Sequence, residues 1–417
     1  MSRVIALCFL LLAAVLGFIH IYSHPVWAPF VLEQGDATPS EVIELDIKPL
    51  SGHHNLTKGK PAPHSPSPSM HTQWLPDTGA NSVHAASLIT LNDGAVRAFW
   101  FSGSREGAPD VVINTAVFDP KSSLWAAPTV VMNRVEAEHG LSRYIAKLGN
   151  PVPARMADGR LQLFFVTVSI GGWAGSSIST VISDDEGTTW SRPQRLITSP
   201  FFNLSTLVKT PTVAFADGRL GLPAYHEWIG RFGEFLRVEG TKVIDKRRMS
   251  SGRGAIQPAV LVDTSQDAVA YFRQMRSEHL PKQIPVSVTQ NAGQTWQVAA
   301  DLPIPNPNSA IAGLKLHNGV QILVLNNIEV GRHRLVMMMR KPSGQWHIVE
   351  TLENEEALPD QERKEFSYPY LISANGNDAH LVYTWDRKKI RHIYFSTAWL
   401  TQTMNHLPND AEIEEVK

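Results

Sequence analysis

Five short segments of this 417-residue chain set charged residues beside apolar runs: FSGSREGAPDV (Arg105, Glu106, Asp110), YHEWIGRFGE (His226, Glu227, Arg231), AYFRQM (Arg273), EVGRHR (Arg332, Arg334) and YTWDRKK (Trp385, Asp386). Taken singly, a charged loop residue is most often merely solvated. Here the segments share one phase relative to the elements around them, which weakens that reading. Arginines converging on one cleft suit a carboxylate, because the guanidinium fork binds it bidentately and stays charged at any ordinary pH. The expected ligand is anionic.

A second set has the same phase. Eight to eleven residues before a recurrent turn stands a polar residue followed mostly by Pro or a small side chain: His84-Ala85, Asn150-Pro151, Thr210-Pro211, Gln257-Pro258, Asn308-Ser309 and Tyr368-Pro369. One such side chain reads as a strand cap. Six at equivalent positions make a ring lining the mouth of a central funnel, where ligands bind.

The elements that must position these groups follow from the turns. LNDGAVRAFW around Gly94, MADGRLQLFF around Gly159, FADGRLGLPAY around Gly218, VDTSQDAVAYF around Asp267, LHNGVQILVL around Gly319 and SANGNDAHLVYTW around Gly376 are spaced 65, 59, 49, 52 and 57 residues apart. Asp-Gly and Asn-Gly between apolar runs signal hairpins, since the tight turn needs positive φ. Units of this length hold four short antiparallel strands, and six of them predict an all-β, six-bladed β-propeller with few helices. The octet SDDEGTTW, ending at Trp190, crowds three carboxylates together, yet it recurs at the same phase as TQNAGQTW (Trp296) and, in worn form, as FDPKSSLW (Trp125) and KPSGQW (Trp346). A catalytic cluster would not be copied blade after blade. A turn that binds its own backbone and plugs a Trp between strands would be.

With these octets the sequence resembles the sialidase (neuraminidase) superfamily, in particular bacterial sialidase-like proteins with Asp-box (BNR) repeats, over about residues 74 to 400. The resemblance implies a six-bladed propeller, an arginine triad on the substrate carboxylate, a tyrosine nucleophile assisted by glutamate, and an aspartate acid/base. It maps the tyrosine to Tyr368, the second arginine to Arg273, the third to Arg332 or Arg334, and the acid/base to Asp110 or Glu106. Two positions depart from the pattern: His84 stands at the first arginine and Gln257 at the glutamate. Gln257 accepts no proton, whereas a phenol needs a base to become a nucleophile, so Glu227 is the candidate base. Arg105 and Arg253, the latter between Gly252 and Gly254, are further candidates for the carboxylate. His84, Gln257, Asn150 and Asn308 are candidate orienting groups, and His226 a candidate sugar contact. The substrate expected is a terminal 2-keto-3-deoxy sugar acid, sialic acid or the Kdo of lipopolysaccharide, on a glycan or glycolipid. The alternatives are a uronate lyase using Tyr368 with His84 or His226, and a glycan-binding propeller without turnover or one completed by a partner subunit.

Composition narrows the remaining classes. Acidic and basic residues nearly cancel, 39 against 38, which argues against nucleic acid. The spacing of His residues and the single cysteine, Cys8, give no metal or cofactor motif, and no G-x-S-x-G marks a serine hydrolase. Val4 to Ile21 is uncharged and as a helix would measure about 27 Å, the thickness of a bilayer core. The segment is read as a membrane anchor with a cleaved signal peptide as the alternative, and Arg3 before it puts the body outside the cytoplasm. The domains expected are 1–24 anchor, 25–73 extended Pro/Ser-rich linker, 74–402 propeller and 403–417 acidic tail. Asn55 and Asn203 head glycosylation sequons.

Overall fold

Each Asp-Gly or Asn-Gly turn adopts the left-handed backbone its sequence calls for, with φ between 79° and 86° at Gly94, Gly159, Gly218, Gly319 and Gly376. Each joins the first and second strands of a four-stranded antiparallel sheet. The computed structural model describes residues 2–22 (side chains for 4–16), 26–32, 68–199, 203–228, 230–250, 254–275, 281–342 and 344–407. Blade 1 has Ser82–Thr90 innermost, then Val96–Gly103, Val112–Asp119 and Leu124–Trp125; blade 2 begins with Lys147–Arg155, blade 3 with Leu207–Val208 and Val213–Ala214, blade 4 with Ala255–Val262, blade 5 with Ala312–Lys315 and blade 6 with Phe366–Ile372. Inner strands neighbour one another in sequence order, and the sixth returns to the first, closing the ring. All six expected blades are present.

The acidic octet is scaffold. Asp185 accepts from the Thr189 amide (2.8 Å) and hydroxyl (2.7 Å), while the Ser183 hydroxyl accepts from the Gly187 amide at 2.8 Å. These bonds hold the Asp185 carboxyl down to about 2. Each octet tryptophan then packs on the preceding blade: Trp190 edge-on to Phe99, Trp296 to Phe235, Trp346 to Tyr271, and Trp125 to His392 across the closure. The octets are therefore wedges at four of the six blade-to-blade contacts.

Blade 6 is completed by Met70–Trp74, which pairs antiparallel with Lys389–Phe395. The propeller thus begins at Met70 and not at 74. The supposed linker contributes more: Trp27 and Phe30 are each 2% exposed, packed with Phe215, Phe235 and Phe272 of blades 3 and 4. At the other end the helix Thr397–Asn405 buries Leu400 and leads to a buried Leu407, so the propeller extends past 402 and the expected tail begins later. The N-terminal helix Ser2–Tyr22 leaves all its described side chains, 4–16, exposed. Among the described residues, no helix is long and apolar enough to cross a membrane. Asn203 is buried, accepting from the Thr198 amide and hydroxyl, so this sequon offers no free acceptor.

The closure is stapled by histidines. His392 contacts Gln73 of the entering strand at 3.2 Å and His380 at 3.1 Å, all but Gln73 fully buried. Burial lowers both histidines, and brings His84, in the first blade, to about 3. Their folded values lie below the unfolded value near 6.5, so the folded state binds fewer protons, and stability is present above pH 6.5 and lost as pH falls. The loss is roughly 1.4 kcal/mol per histidine per pH unit. The depressed carboxyls Asp185 and Glu365 titrate lower still, while Glu227 and Glu353, raised by burial, oppose the trend. The melting temperature should fall clearly between pH 6.5 and 4.5 in calorimetry. A flat profile there would contradict burial of neutral histidines.

Candidate active site

The inner strands share one distortion. Register slips by one residue after His84, Gly149, Ile256 and Ser367, leaving pairs of residues that bulge toward the axis. The bulged residue is left-handed in each: Ala85 (φ 52°), Asn150 (43°), Gln257 (51°) and Tyr368 (54°), with Asn308 (61°) at the start of blade 5. For a residue with a side chain this conformation costs about 1–2 kcal/mol, and such strain collects at functional sites. In blade 3 the interruption is wider, spanning Lys209–Thr212, and Thr210 donates to the Pro258 carbonyl at 2.6 Å. The left-handed position is therefore shared by five blades, but Ala85, not His84, holds it in blade 1, so the polar side chains found there are those of Asn150, Gln257, Asn308 and Tyr368.

Arg273 is its hub. It ends the second strand of blade 4, is 8% exposed, and donates to Asn308 Oδ1 (2.8 Å), Gln257 Oε1 (3.3 Å) and the Tyr368 hydroxyl (3.5 Å). Among the described residues it hydrogen-bonds only neutral groups, so its charge is not cancelled by a paired carboxylate. Gln257 uses its other end to donate to the Tyr225 hydroxyl at 3.0 Å, and Asn150 approaches the same oxygen at 3.4 Å. Gln257 and Asn150 thus fix the floor rather than the ligand. The other guanidiniums are already paired: Arg332 with Glu365 at 3.0 Å and the Asn308 carbonyl at 3.0 Å, and Arg387 with Glu106 and, at 3.4 Å, Glu365. Glu365 is held down to about 2; burial opposes this, but Arg332, the Ser367 hydroxyl and Arg387 prevail.

Glu227 is mostly enclosed beside this floor, and burial raises its carboxyl above the ordinary range, against the pull of Arg273 and Arg231. Glu106 also faces it electrostatically. Asp110 is exposed and accepts from both the amide and the hydroxyl of Ser104 at 2.9 Å, which lower its carboxyl; it holds its own loop, and Arg105 in the same loop is exposed. Of the two loop carboxylates, Glu106 is the one joined to the central cluster.

Other expected members lie elsewhere. Arg334 pairs with Glu356 at 3.3 Å, away from the ring, so Arg332 is the blade 5 arginine at the site. His226 contacts Glu234 at 2.6 Å and stacks on Phe232, outside the hub's hydrogen bonds. His84 is no orienting hydrogen-bond group: both its ring nitrogens are buried without a partner among the described residues, and its ring packs tilted against Tyr368 (4.4 Å) and edge-on to Phe101 (5.6 Å). Arg253 lies outside the described residues. Sequence reading missed four members: Tyr225, Glu365, Arg387 and Lys209. Lys209 is buried, donates to the Pro369 carbonyl at 3.2 Å, and lies 5.5 Å from the Tyr368 ring centre and 5.0 Å from that of Tyr370. Adjacency was the available signal, since Lys209 precedes Thr210 and Arg387 follows Asp386.

Comparison with known proteins agrees with this architecture. The Hadza microbial sialidase Hz136 superposes with a TM-score of 0.61 at 13% identity, covering 75% of this chain and 65% of that one, so the chain spans about two thirds of its length. The NanB sialidase of Streptococcus pneumoniae gives 0.59 at 12%, covering 77% and 69%. The intramolecular trans-sialidase of Ruminococcus gnavus gives 0.58 at 14%, covering 78% and 96%. At these identities the likeness is one of fold. No curated protein sequence matches. The BNR repeat-like domain profile matches residues 94–381, the greater part of the chain and the span of all six recurrent turns from Gly94 to Gly376, and this chain belongs to that family.

Proposed function

We propose that this chain is a membrane-tethered exo-glycosidase of the sialidase type that releases a terminal 2-keto-3-deoxy sugar acid, sialic or Kdo-like, from an envelope glycan. The observation that carries the reading is Arg273, a buried guanidinium that pairs with no carboxylate among the described residues, in contact with the hydroxyl of the strained Tyr368. A substrate carboxylate supplies the missing charge and brings the anomeric carbon, one bond away, over the phenol. Tyr368 oxygen attacks as the glycosidic bond breaks, Glu227 takes the phenol proton, and Glu106, on exchanging its Arg387 pairing for a proton from solvent, is assigned to protonate the leaving oxygen. Water then releases the sugar by the reverse transfers.

The tether is the uncharged run Val4 to Ile21, which would hold the propeller outside the cytoplasm. One observation favours a second reading, a glycan-binding propeller: the amide of Gln257 stands where the family's glutamate is expected and is committed to Tyr225 and Arg273. The lyase reading loses support, because His84 is neutral, enclosed and lowered to about 3 by burial, and His226 is held by Glu234.

The test is incubation of the purified full chain with sialosides, Kdo-bearing oligosaccharides and uronate-terminated glycans, with free keto acid and ultraviolet absorbance read together. Keto acid released by the native chain and lost in Tyr368→Phe would establish the glycosidase. New absorbance without keto acid would make it a lyase, and silence with measurable glycan binding would make it a binder.

A pH prediction belongs to Glu227. As a base it works only when ionised, and its value is raised from 4.5, so kcat/KM should climb with pH on an acid limb lying above the ordinary glutamate range. Glu227→Gln should remove that limb and lower the plateau by about 10²-fold or more. An unchanged limb would assign it to another group.

A further inference from the structure

Trp27 and Phe30 fix where the apolar N-terminal run leaves the propeller. The Phe30 amide donates to the Ser265 carbonyl (2.8 Å), the Val31 amide to Ala214 (2.9 Å), and the Ala216 amide to Pro29 (2.8 Å). Trp27 Nε1 donates to Asp245 at 2.9 Å, and the guanidiniums of Arg237 and Arg247 lie over its ring at 5.8 and 5.4 Å. The residues gripped are the turns between first and second strands of blades 3 and 4, around Phe215–Arg219 and Asp263–Asp267. The second strands starting there, Leu220–Tyr225 and Ala268–Gln274, carry Tyr225 and Arg273 at their far ends. At about 3.3 Å per residue the docked segment lies roughly 20 Å from the ring, on the opposite face of the propeller.

The chain re-enters on that same face. The Ser396 amide, at the end of the third strand of blade 6, donates to the Ser69 carbonyl at 3.0 Å, just before Met70–Trp74 begins. From Tyr22 to Val26 there are only four Cα steps, at most about 15 Å of reach. The Ile21 end of the run, where it would enter a bilayer, is therefore held close to the turn face. Its described side chains pack on nothing, with Phe9 69% and Leu10 70% exposed.

We infer that the turn face is the membrane-apposed face of the propeller, so that the funnel opens away from the bilayer holding the chain and takes glycans from beyond it, not lipid headgroups of its own leaflet. This rests on the anchor reading of Val4–Ile21. It gives the repeated Asp-Gly turns a second role as a base, and it makes the substrate a free glycan or one displayed on a facing surface.

The experiment uses the full chain with Cys8→Ser and one new cysteine bearing a donor fluorophore, bound to phosphatidylcholine vesicles containing a headgroup acceptor. Lys242→Cys reports the turn face, at the exposed hairpin after Gly233–Glu239, and Val330→Cys reports the funnel rim, where Val330 is 70% exposed. Energy transfer should be at least about twofold greater from position 242, given a separation of roughly 25 Å. Equal or reversed transfer overturns the orientation while leaving the anchor standing. Failure to co-sediment with vesicles, in a chain of unchanged melting temperature, overturns the anchor and the inference with it. Loss of co-sedimentation in Leu10→Arg is expected if the apolar run is the tether.

Discussion

Arg273→Lys is expected to lower kcat/KM for the released sugar acid by about 10³-fold, equivalent to roughly 4 kcal/mol of transition-state stabilisation. Three features of the native contacts set that size. The guanidinium is buried at the ring, where an electrostatic contact is stronger than in water. Its partners, Asn308, Gln257 and the Tyr368 hydroxyl, are neutral, so its charge is left for the ligand. Its planar fork also serves those three acceptors in fixed directions, which one ammonium cannot reproduce. Lysine would keep the charge and lose the geometry, leaving amide oxygens of Gln257 and Asn308 short of a donor and costing about 1–3 kcal/mol of stability as well. Arg334→Lys is the control: it pairs with Glu356 away from the ring and should leave kcat/KM within about twofold, as for an exposed ion pair. If Arg273→Lys retained activity within tenfold of the native chain, Arg273 would be a structural brace and the carboxylate would bind elsewhere. The same variant read by calorimetric titration with the free sugar acid separates the cases in a binding protein, where affinity should fall in place of rate.

The fold was legible because propeller blades are local objects. Five of the six turns announce themselves through a glycine whose positive φ no other residue adopts as cheaply, and each octet or worn copy ends on its tryptophan within a few residues of a turn. What crosses between blades was not legible. Met70–Trp74 closes blade 6 against a strand some 320 residues later, and Trp27 finds its pocket on blades 3 and 4, contacts that leave no local pattern. The site divides along the same line. Asn150, Gln257, Asn308 and Tyr368 share one phase of one repeated strand and could be aligned, as could Arg273 at the end of the next. Tyr225 sits in LGLPAY, where it reads as core; only the hydroxyl contacts to Gln257 and Asn150 reveal its polar use. His84 misled by type: its place in the strand invited a hydrogen-bonding role, but the register slip that follows it turns Ala85 to the axis and leaves the imidazole packed in apolar surroundings. Glu365 and Arg387 pair across the blade 6 rim, and pairing of that kind depends on which loop comes home to which.

Lys209→Met is expected to raise the melting temperature and cut the rate together. Lys209 is enclosed between the Tyr368 and Tyr370 rings, with the Pro369 carbonyl its one hydrogen-bond partner and no carboxylate in ion-pairing range among the described residues. Burial therefore lowers its ammonium to about 7. The folded value lies below the unfolded 10.5, so the cost to stability is full below pH 7 and is relieved as pH rises from 7 to 10.5. Its size is on the order of 5 kcal/mol, from 1.36 kcal/mol for each pK unit. Methionine fills similar space without the charge, so the variant should be more stable by several kcal/mol at pH 6 and should not share the native chain's gain in stability between pH 7 and 9. A group this costly, set against the ring of the tyrosine that contacts Arg273, is placed to act on it: a cation behind the phenol favours phenolate over phenol, and does so only while protonated. The native rate should accordingly fall as pH passes about 7, opposite to the rise governed by Glu227, giving a bell. In Lys209→Met the alkaline limb should disappear and the rate drop by about 10²-fold. A variant that melts lower yet works normally would make Lys209 a packing residue; one that melts higher and is slowed would show stability given up at this position for chemistry on Tyr368.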